Sequence, residues 1–173
     1  KYIITQDSTG RVYPQQNAGA LGSAWLVAEV KFVPDARTEM RALDNFNPST
    51  TAIVQESFKK DIPTGLQWDT AATIKLVKNE NDIVTYQYNA ATPQFAVFSE
   101  VYYDRGWKAF IDEKESPIIK TNYVLRGLMV PAGSHNIVFR FKPESYTTGK
   151  NVTLISQLLL LVLLAAGLWF KSR

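Results

Sequence analysis

The chain has 173 residues, with 19 Lys and Arg, 16 Asp and Glu, one His and no Cys, for a formal charge of +3 at pH 7. Lys150, Lys171 and Arg173 account for that excess, so the residues before them are charge-balanced and lack the basic clustering that a nucleic-acid surface requires. Without cysteine there is no disulfide framework, thiolate metal site or thiol nucleophile, and the core must hold by packing alone.

Residues 2–5 and 11–13 are short β-prone runs on either side of Gln-Asp-Ser-Thr-Gly, which read as a hairpin or as edge strands. Residues 17–23, with Gly19 and Gly22, read as a loop. Residues 25–33 alternate Trp25, Val27, Glu29, Lys31 against Leu26, Ala28, Val30, Phe32, the pattern of one half-buried strand. Asp35 is placed to cap a short helix whose apolar face is Ala36, Met40 and Leu43. A short strand at 52–55, a loop at 57–69 and an alternating pair at 74–77 and 83–88 around a polar turn follow. Then come strands at 95–103, 107–112, 118–121, 124–130 and 136–141. A charged turn, Asp112-Glu113-Lys114-Glu115, follows the second of these. Short strands at this spacing predict a mainly β, antiparallel, jelly-roll-like sandwich with one short helix.

Residues 152–170 carry no ionisable side chain and are apolar on every helical face from Leu158 to Leu164. Nineteen helical residues span about 28 Å, close to the hydrocarbon thickness of a bilayer. The expected division is a globular domain at 1–149 and a transmembrane helix with a short tail at 150–173. Trp169 suits an interfacial position, and Lys171 and Arg173 beyond it predict a cytoplasmic C-terminus with the domain on the opposite side of the plasma membrane. The chain starts at Lys1 with no signal peptide, so its export is expected to depend on earlier spans of a longer membrane protein.

The chemistry is sparse. His135 stands in a Pro-Ala-Gly-Ser-His turn without the partners that a metal site needs, and reads as a turn residue. Asp104, Asp112, Glu113 and Glu115 read as solvated turn carboxylates. No nucleotide, hydrolase or metalloprotease motif is present, so no catalytic residue, cofactor or metal is expected. The aromatics Tyr102, Tyr103, Trp107 and Tyr123 are the candidate contacts for carbohydrate, since aromatic faces stack on sugars while alternation sends others into the core.

The run 97–112, with its Tyr-Asp-Arg-Gly-Trp block at 103–107, continued by Asn-Tyr-Val-Leu-Arg-Gly at 122–127 and Val-Pro-Ala-Gly-Ser-His at 130–135, resembles the C-terminal region of YfhO-type bacterial membrane proteins. Ala24-Trp25-Leu26-Val27, Ala42-Leu43, Asn47-Pro48 and Ala52-Ile53-Val54 agree in the same order, most of all with the form seen in Bacteroidetes. The resemblance implies a polytopic protein related to lipid-linked-sugar glycosyltransferases of the cell envelope. This chain would be its non-catalytic extracytoplasmic domain and last span, with the catalytic acid in an early loop outside it. The partners implied are the lipid bilayer, the upstream membrane region and envelope carbohydrate. A carbohydrate-binding module is the second reading, and an enzyme in its own right the third. Similar sequences have Asp-Gly where this chain has Asp112-Glu113, which argues against a tight two-residue turn there.

Overall fold

Apolar and polar residues alternate in strands such as Ile83–Ala90 and Gly133–Phe141, and that period of two builds sheets. The computed structural model describes residues 2–171, and among these thirteen strands fall into three sheets. β1 (Tyr2–Gln6) and β2 (Val12–Gln16) form a hairpin, one of the two arrangements that their sequence allowed. A six-stranded sheet is built, from edge to edge, of β3 (Ala24–Val27), β8 (Gln94–Val101), β12 (Leu125–Val130), β11 (Ile119–Thr121), β5 (Thr51–Gln55) and β4 (Glu29–Val33). A five-stranded sheet is built of β10 (Lys114–Ser116), β9 (Trp107–Ile111), β13 (Gly133–Phe141), β7 (Ile83–Ala90) and β6 (Thr73–Asn79). The pairings are antiparallel apart from β4 with β5, whose connection contains α1 (Ala36–Ala42). The mainly β antiparallel sandwich expected from the sequence is the fold of this chain.

The two large sheets share one core. Tyr86, Ile137 and Phe139 of the five-stranded sheet meet Leu26, Phe98 and Leu128 of the six-stranded one, all buried. Tyr86, Phe98 and Phe139 pack edge to face, with centroids 4.8 to 6.2 Å apart, the geometry that aligns ring edges with ring faces. Gly127 in β12 is dictated by a second core: a Cβ there would lie 2.5 Å from the buried Phe95 ring.

The strand expected at 25–33 is two strands. β3 and β4 lie on opposite edges of their sheet, yet only Ala28 separates them, and successive Cα atoms are about 3.8 Å apart. The edges therefore meet, and the sheet is curled on itself. The seam is stitched by Ala28 and Glu29 N–H donating to the Thr50 carbonyl (2.8 and 3.0 Å), and by Trp25 Nε1 donating to the Pro48 carbonyl at 2.7 Å. Side chains from all six strands, among them Val27, Val54, Phe95 and Ile119, fill the inside of the curl. Phe58 and Ile62, from the 3-10 turn Glu56–Asp61 and its exit, join them inside what the sequence suggested was only a loop.

α1 forms where expected, and Asp35 caps it by accepting the Thr38 N–H at 2.8 Å. Its buried face is not the expected one. Met40 is 50% exposed and Ala36 is exposed, while Glu39 is 0% exposed. The helix is rotated because the Glu39 carboxylate has backbone and side-chain donors waiting beneath it, described below.

One end of the sandwich is defined by the exit of the chain into α2 (Glu144–Lys171). There Phe141 N–H donates to the Asp82 carbonyl and Lys142 N–H to the Gly106 carbonyl, both at 2.7 Å. Tyr102 N–H donates to Val124 at 2.7 Å, and Ser99 N–H to Ser23 at 2.8 Å, so the 102–106 loop, the 122–124 turn and the entry to β3 gather at this same end. Within α2, Val152–Trp169 is long and apolar enough to cross a bilayer, and none of it is buried against the sandwich. Its two hydroxyls at Thr153 and Ser156 donate to the carbonyls of Gly149 and Val152, both at 2.9 Å, which satisfies them without water. Of the basic flank from which the sequence suggested an orientation, Arg173 lies outside the described residues.

Candidate functional site

The end from which α2 departs carries an open cleft of about 720 Å³, lined by the 103–108 segment and by Phe141, Lys142 and Pro143. Its floor is Trp107, the first residue of β9, held against Phe141 with ring centroids 5.3 Å apart. The Arg126 guanidinium lies 4.4 Å from the Trp107 ring centre. Gly106 lets the cleft close down: a Cβ there would lie 2.4 Å from the Phe141 ring. Arg105, Lys108 and Lys142 against Asp104 make the lining cationic, with Lys108 also reaching Glu115 at 3.2 Å.

Arg126 itself is 2% exposed. Its Nε donates to the Val101 carbonyl at 2.9 Å, its Nη1 is buried without a hydrogen-bond partner, and burial holds its pKa below the ordinary arginine value, partly offset by Glu100. The ring faces of Trp107 and Phe139, the latter at 5.4 Å, supply the negative potential that a buried cation needs.

Of the four aromatics singled out in the sequence, the fold brings Tyr103 and Trp107 together in this cleft, Tyr103 half-exposed. Tyr102 points elsewhere, its ring edge-on to Phe58 at 6.4 Å. Tyr123 lies on the 122–124 turn with Lys120 Nζ 4.8 Å from its ring centre. The four do not form one patch.

Two polar constellations were not visible in the sequence. In the first, Asn122 and Tyr123 both have positive φ (47° and 69°), and Val124 N–H donates back to the Asn122 carbonyl at 2.8 Å, a γ-turn of the rare, strained hand. The strain is held down by Glu39, whose Oε1 accepts the Tyr123 N–H at 2.8 Å while Oε2 accepts Gln55 Nε2 at 2.7 Å. Asn122 extends the β11–β5 ladder past its end: its N–H donates to the Ile53 carbonyl and its Oδ1 accepts the Ile53 N–H, both 2.8 Å.

In the second, at the far end of the sandwich, His135 Nδ1 lies 2.6 Å from Asp112 Oδ2 and Nε2 lies 3.0 Å from the Ala132 carbonyl. Both neighbours are acceptors, and only the imidazolium has two N–H groups to give. Asp112 is thus a paired carboxylate and no simple solvated one; its Oδ1 also accepts the Asn136 N–H at 2.9 Å. The bond to Asp112, then the one to Ala132, hold the His135 pKa above its ordinary 6.5, and the bonds from His135 and Asn136 hold Asp112 below 3.8. A raised histidine pKa contributes stability that is complete below the unfolded value and is lost as pH rises through the folded one. The depressed Asp112 contributes above 3.8 and is lost as pH falls below it. The melting-temperature difference between the native chain and His135→Gln should therefore be largest between the ordinary Asp and His values, 3.8 and 6.5, and shrink as the pH rises above 6.5 through the raised folded value. A difference that is flat across that range would mean that His135 is neutral.

The expected four-residue charged turn is instead the tight one. Asp112 (φ 48°) and Glu113 (φ 64°) alone join β9 to β10, both left-handed as a type I′ turn demands. Glu113 is kept there by a bidentate pair to Arg140 Nη2, both contacts 2.8 Å. That pair is exposed and worth at most about 1 kcal/mol. Glu113→Ala loses it and keeps the backbone strain, whereas Glu113→Gly loses both. Thermal melts should then rank Glu113→Gly above Glu113→Ala by about 1 kcal/mol. Equal melts would mean that the left-handed φ costs nothing here.

A β-sandwich joined through two residues to an unburied helix long and apolar enough to cross a bilayer is a β-domain protein with a candidate membrane span. The sequence model of a family described as bacterial membrane protein YfhO matches residues 42–153, and the chain belongs to that family. It is a membrane protein. The match takes in the cleft, the buried Glu39 partners in β5 and the 122–124 turn, and the start of the apolar helix. No curated protein matches the chain, and no solved structure matches it. Among the described residues, no group of three or more His, Cys, Asp and Glu side chains converges as a metal site would.

Proposed function

We propose that this chain is an extracytoplasmic accessory domain with its membrane span, working within a polytopic protein that transfers sugar from a lipid-linked donor to the cell envelope, the domain itself being non-catalytic. Residues 1–149 are the globular unit, and 150–173 the anchor and cytoplasmic tail. The observation that carries this reading is the YfhO family match over residues 42–153, which takes in the sandwich from β5 onward, together with the apolar helix that follows it. Further support comes from the cleft, which offers aromatic faces and cations but no base, nucleophile and orienting group within reach of one another. In cells of the native host, loss of the gene should lower envelope glycosylation, and the intact gene should restore it. Restoration by the gene cut off before residue 1 of this chain would refute an accessory role. For sidedness, Ser134→Cys should react with a membrane-impermeant thiol reagent in intact spheroplasts and Ser172→Cys should not; the reverse labelling would invert the orientation.

One observation favours a second reading, a carbohydrate platform: Tyr103 and Trp107 share an open cleft. Tyr103 is half-exposed, so Tyr103→Ala should leave protein abundance and melting unchanged. If it nevertheless abolishes sugar transfer, the cleft binds sugar and the accessory reading gives way to this one.

A further inference from the structure

We infer that the end of the sandwich from which α2 departs is a bilayer-docking face that rests on anionic lipid headgroups. The inference builds on the proposal that α2 spans the membrane, and concerns the sandwich itself.

Three observations converge. The first is a group among the exposed apolar side chains, which elsewhere on the sandwich include Met40, Trp68, Leu76 and Val77. Val101 (65% exposed), Tyr103 (50%), Val124 (46%) and Phe141 (39%) stand at the ends of β8 and β13 and on the two loops between them, all at the end gathered around the exit into α2. Scattered apolar residues need no explanation, but a ring of them at one end does. The β1–β2 hairpin, with Tyr2, Ile4 and Val12 exposed, is joined to the sandwich at this end as well, through the residues leading to Ser23.

The second is distance. Only Lys142 and Pro143 separate β13 from α2, and the apolar stretch begins at Val152. The intervening helix, residues 144–151, is about 12 Å long at 1.5 Å per residue. A span that ends at Val152 therefore holds the end of β13 about 9 to 12 Å beyond the hydrocarbon boundary at ordinary tilts, at the outer margin of a headgroup layer that adds about 5 to 8 Å on each side. The docking face and the anchor are continuous.

The third is charge. The cleft on this face presents Arg105 and Lys142 against Asp104, beside Tyr103 and Trp107, while its third cation, Lys108, is paired with Glu115 at 3.2 Å. Cations among amphipathic aromatics are the side-chain set of a membrane interface, where each basic residue near an anionic surface adds to the attraction. Of the other charges at this end, Glu80 pairs with Lys78 at 2.9 Å and Glu100 lies near the buried Arg126 cation, while Asp82 is an exposed acid in the turn beside Phe141.

The absence of cysteine makes the test clean. The full chain is reconstituted in nanodiscs of phosphatidylcholine with or without phosphatidylglycerol, bearing an environment-sensitive fluorophore on single-cysteine variants. A headgroup nitroxide should quench the probe at Val101→Cys and Val124→Cys at least twofold more than at Ser134→Cys, which lies at the far end. Phosphatidylglycerol should increase that quenching, and Arg105→Glu with Lys142→Glu should abolish the increase. Equal quenching at Val124→Cys and Ser134→Cys overturns the inference. So does a blue-shifted but unquenched probe at Val124→Cys, which would mean that protein covers the face. A phosphatidylglycerol effect that survives the double charge reversal refutes the headgroup assignment. Leu161→Cys with an acyl-chain nitroxide separates the two proposals. Quenching there without quenching at Val124→Cys sinks the docking face alone, while no quenching at Leu161→Cys sinks the span and this inference with it.

Discussion

Glu39→Ala should destabilise the chain by about 3 to 5 kcal/mol, the sum expected when two hydrogen bonds to a buried charged acceptor are removed and their donors are left unpaired. The Tyr123 N–H and the Gln55 amide both lie against that carboxylate. The loss would be compounded because Tyr123 is held at positive φ, and a strained turn persists only while its surroundings over-determine it. Glu39→Gln keeps one acceptor oxygen, so it should cost about half as much. Denaturant unfolding of the intact chain in detergent, followed by tryptophan fluorescence, measures both. If the alanine and glutamine variants unfold together, the carboxylate is not what holds the 122–124 turn.

Trp107→Ala should cost about 3 kcal/mol, the lower end for deleting a packed tryptophan, because one side of the ring faces the open cleft. Its other contacts are Phe141 and the buried Arg126 guanidinium. The second matters more. Arg126 makes one hydrogen bond through Nε and has a partnerless Nη1, so removing the indole leaves a buried cation with one ring face, Phe139, and the nearby Glu100 charge. Trp107→Phe retains a ring over the guanidinium and should recover most of the loss. In cells, a change of this size lowers abundance several-fold, so reduced function in Trp107→Ala is expected to track protein level. A wild-type melt for Trp107→Ala would show that Arg126 is stabilised by something other than this ring.

The structure divides what was legible in the sequence along a physical line. The strands with the plainest alternation, β7, β12 and β13, fall where the pattern put them, and so do the two strands of the hairpin at 2–16. Asp35 caps α1 because capping is settled within four residues. The errors are all cases in which a distant partner outweighed a local preference. The face of α1 was read from Ala36, Met40 and Leu43, yet Glu39 turns inward because its donor at Tyr123 lies 84 residues away along the chain. The tight turn at Asp112-Glu113 looked unfavourable without glycine, yet Arg140, 27 residues on, and His135 hold its two side chains. Alternation from 25 to 33 runs unbroken through Ala28, and nothing local announces that its halves join opposite edges of a curled sheet.

Composition and period are local properties, and they were enough to determine a mainly β chain ending in a helix of bilayer length, a charge-balanced body and the family resemblance carried by the Tyr-Asp-Arg-Gly-Trp block. Side-chain placement is a different kind of property. Tyr102 and Tyr103 are neighbours in sequence, and a strand sends neighbours to opposite sides, but only the packed sheets decided that Tyr103 would share a cleft with Trp107 while Tyr102 met Phe58. The burial of Arg126 beneath Trp107, and the gathering of apolar ends around the exit into α2, were likewise decided by tertiary structure, because each depends on several chain segments meeting in three dimensions at once.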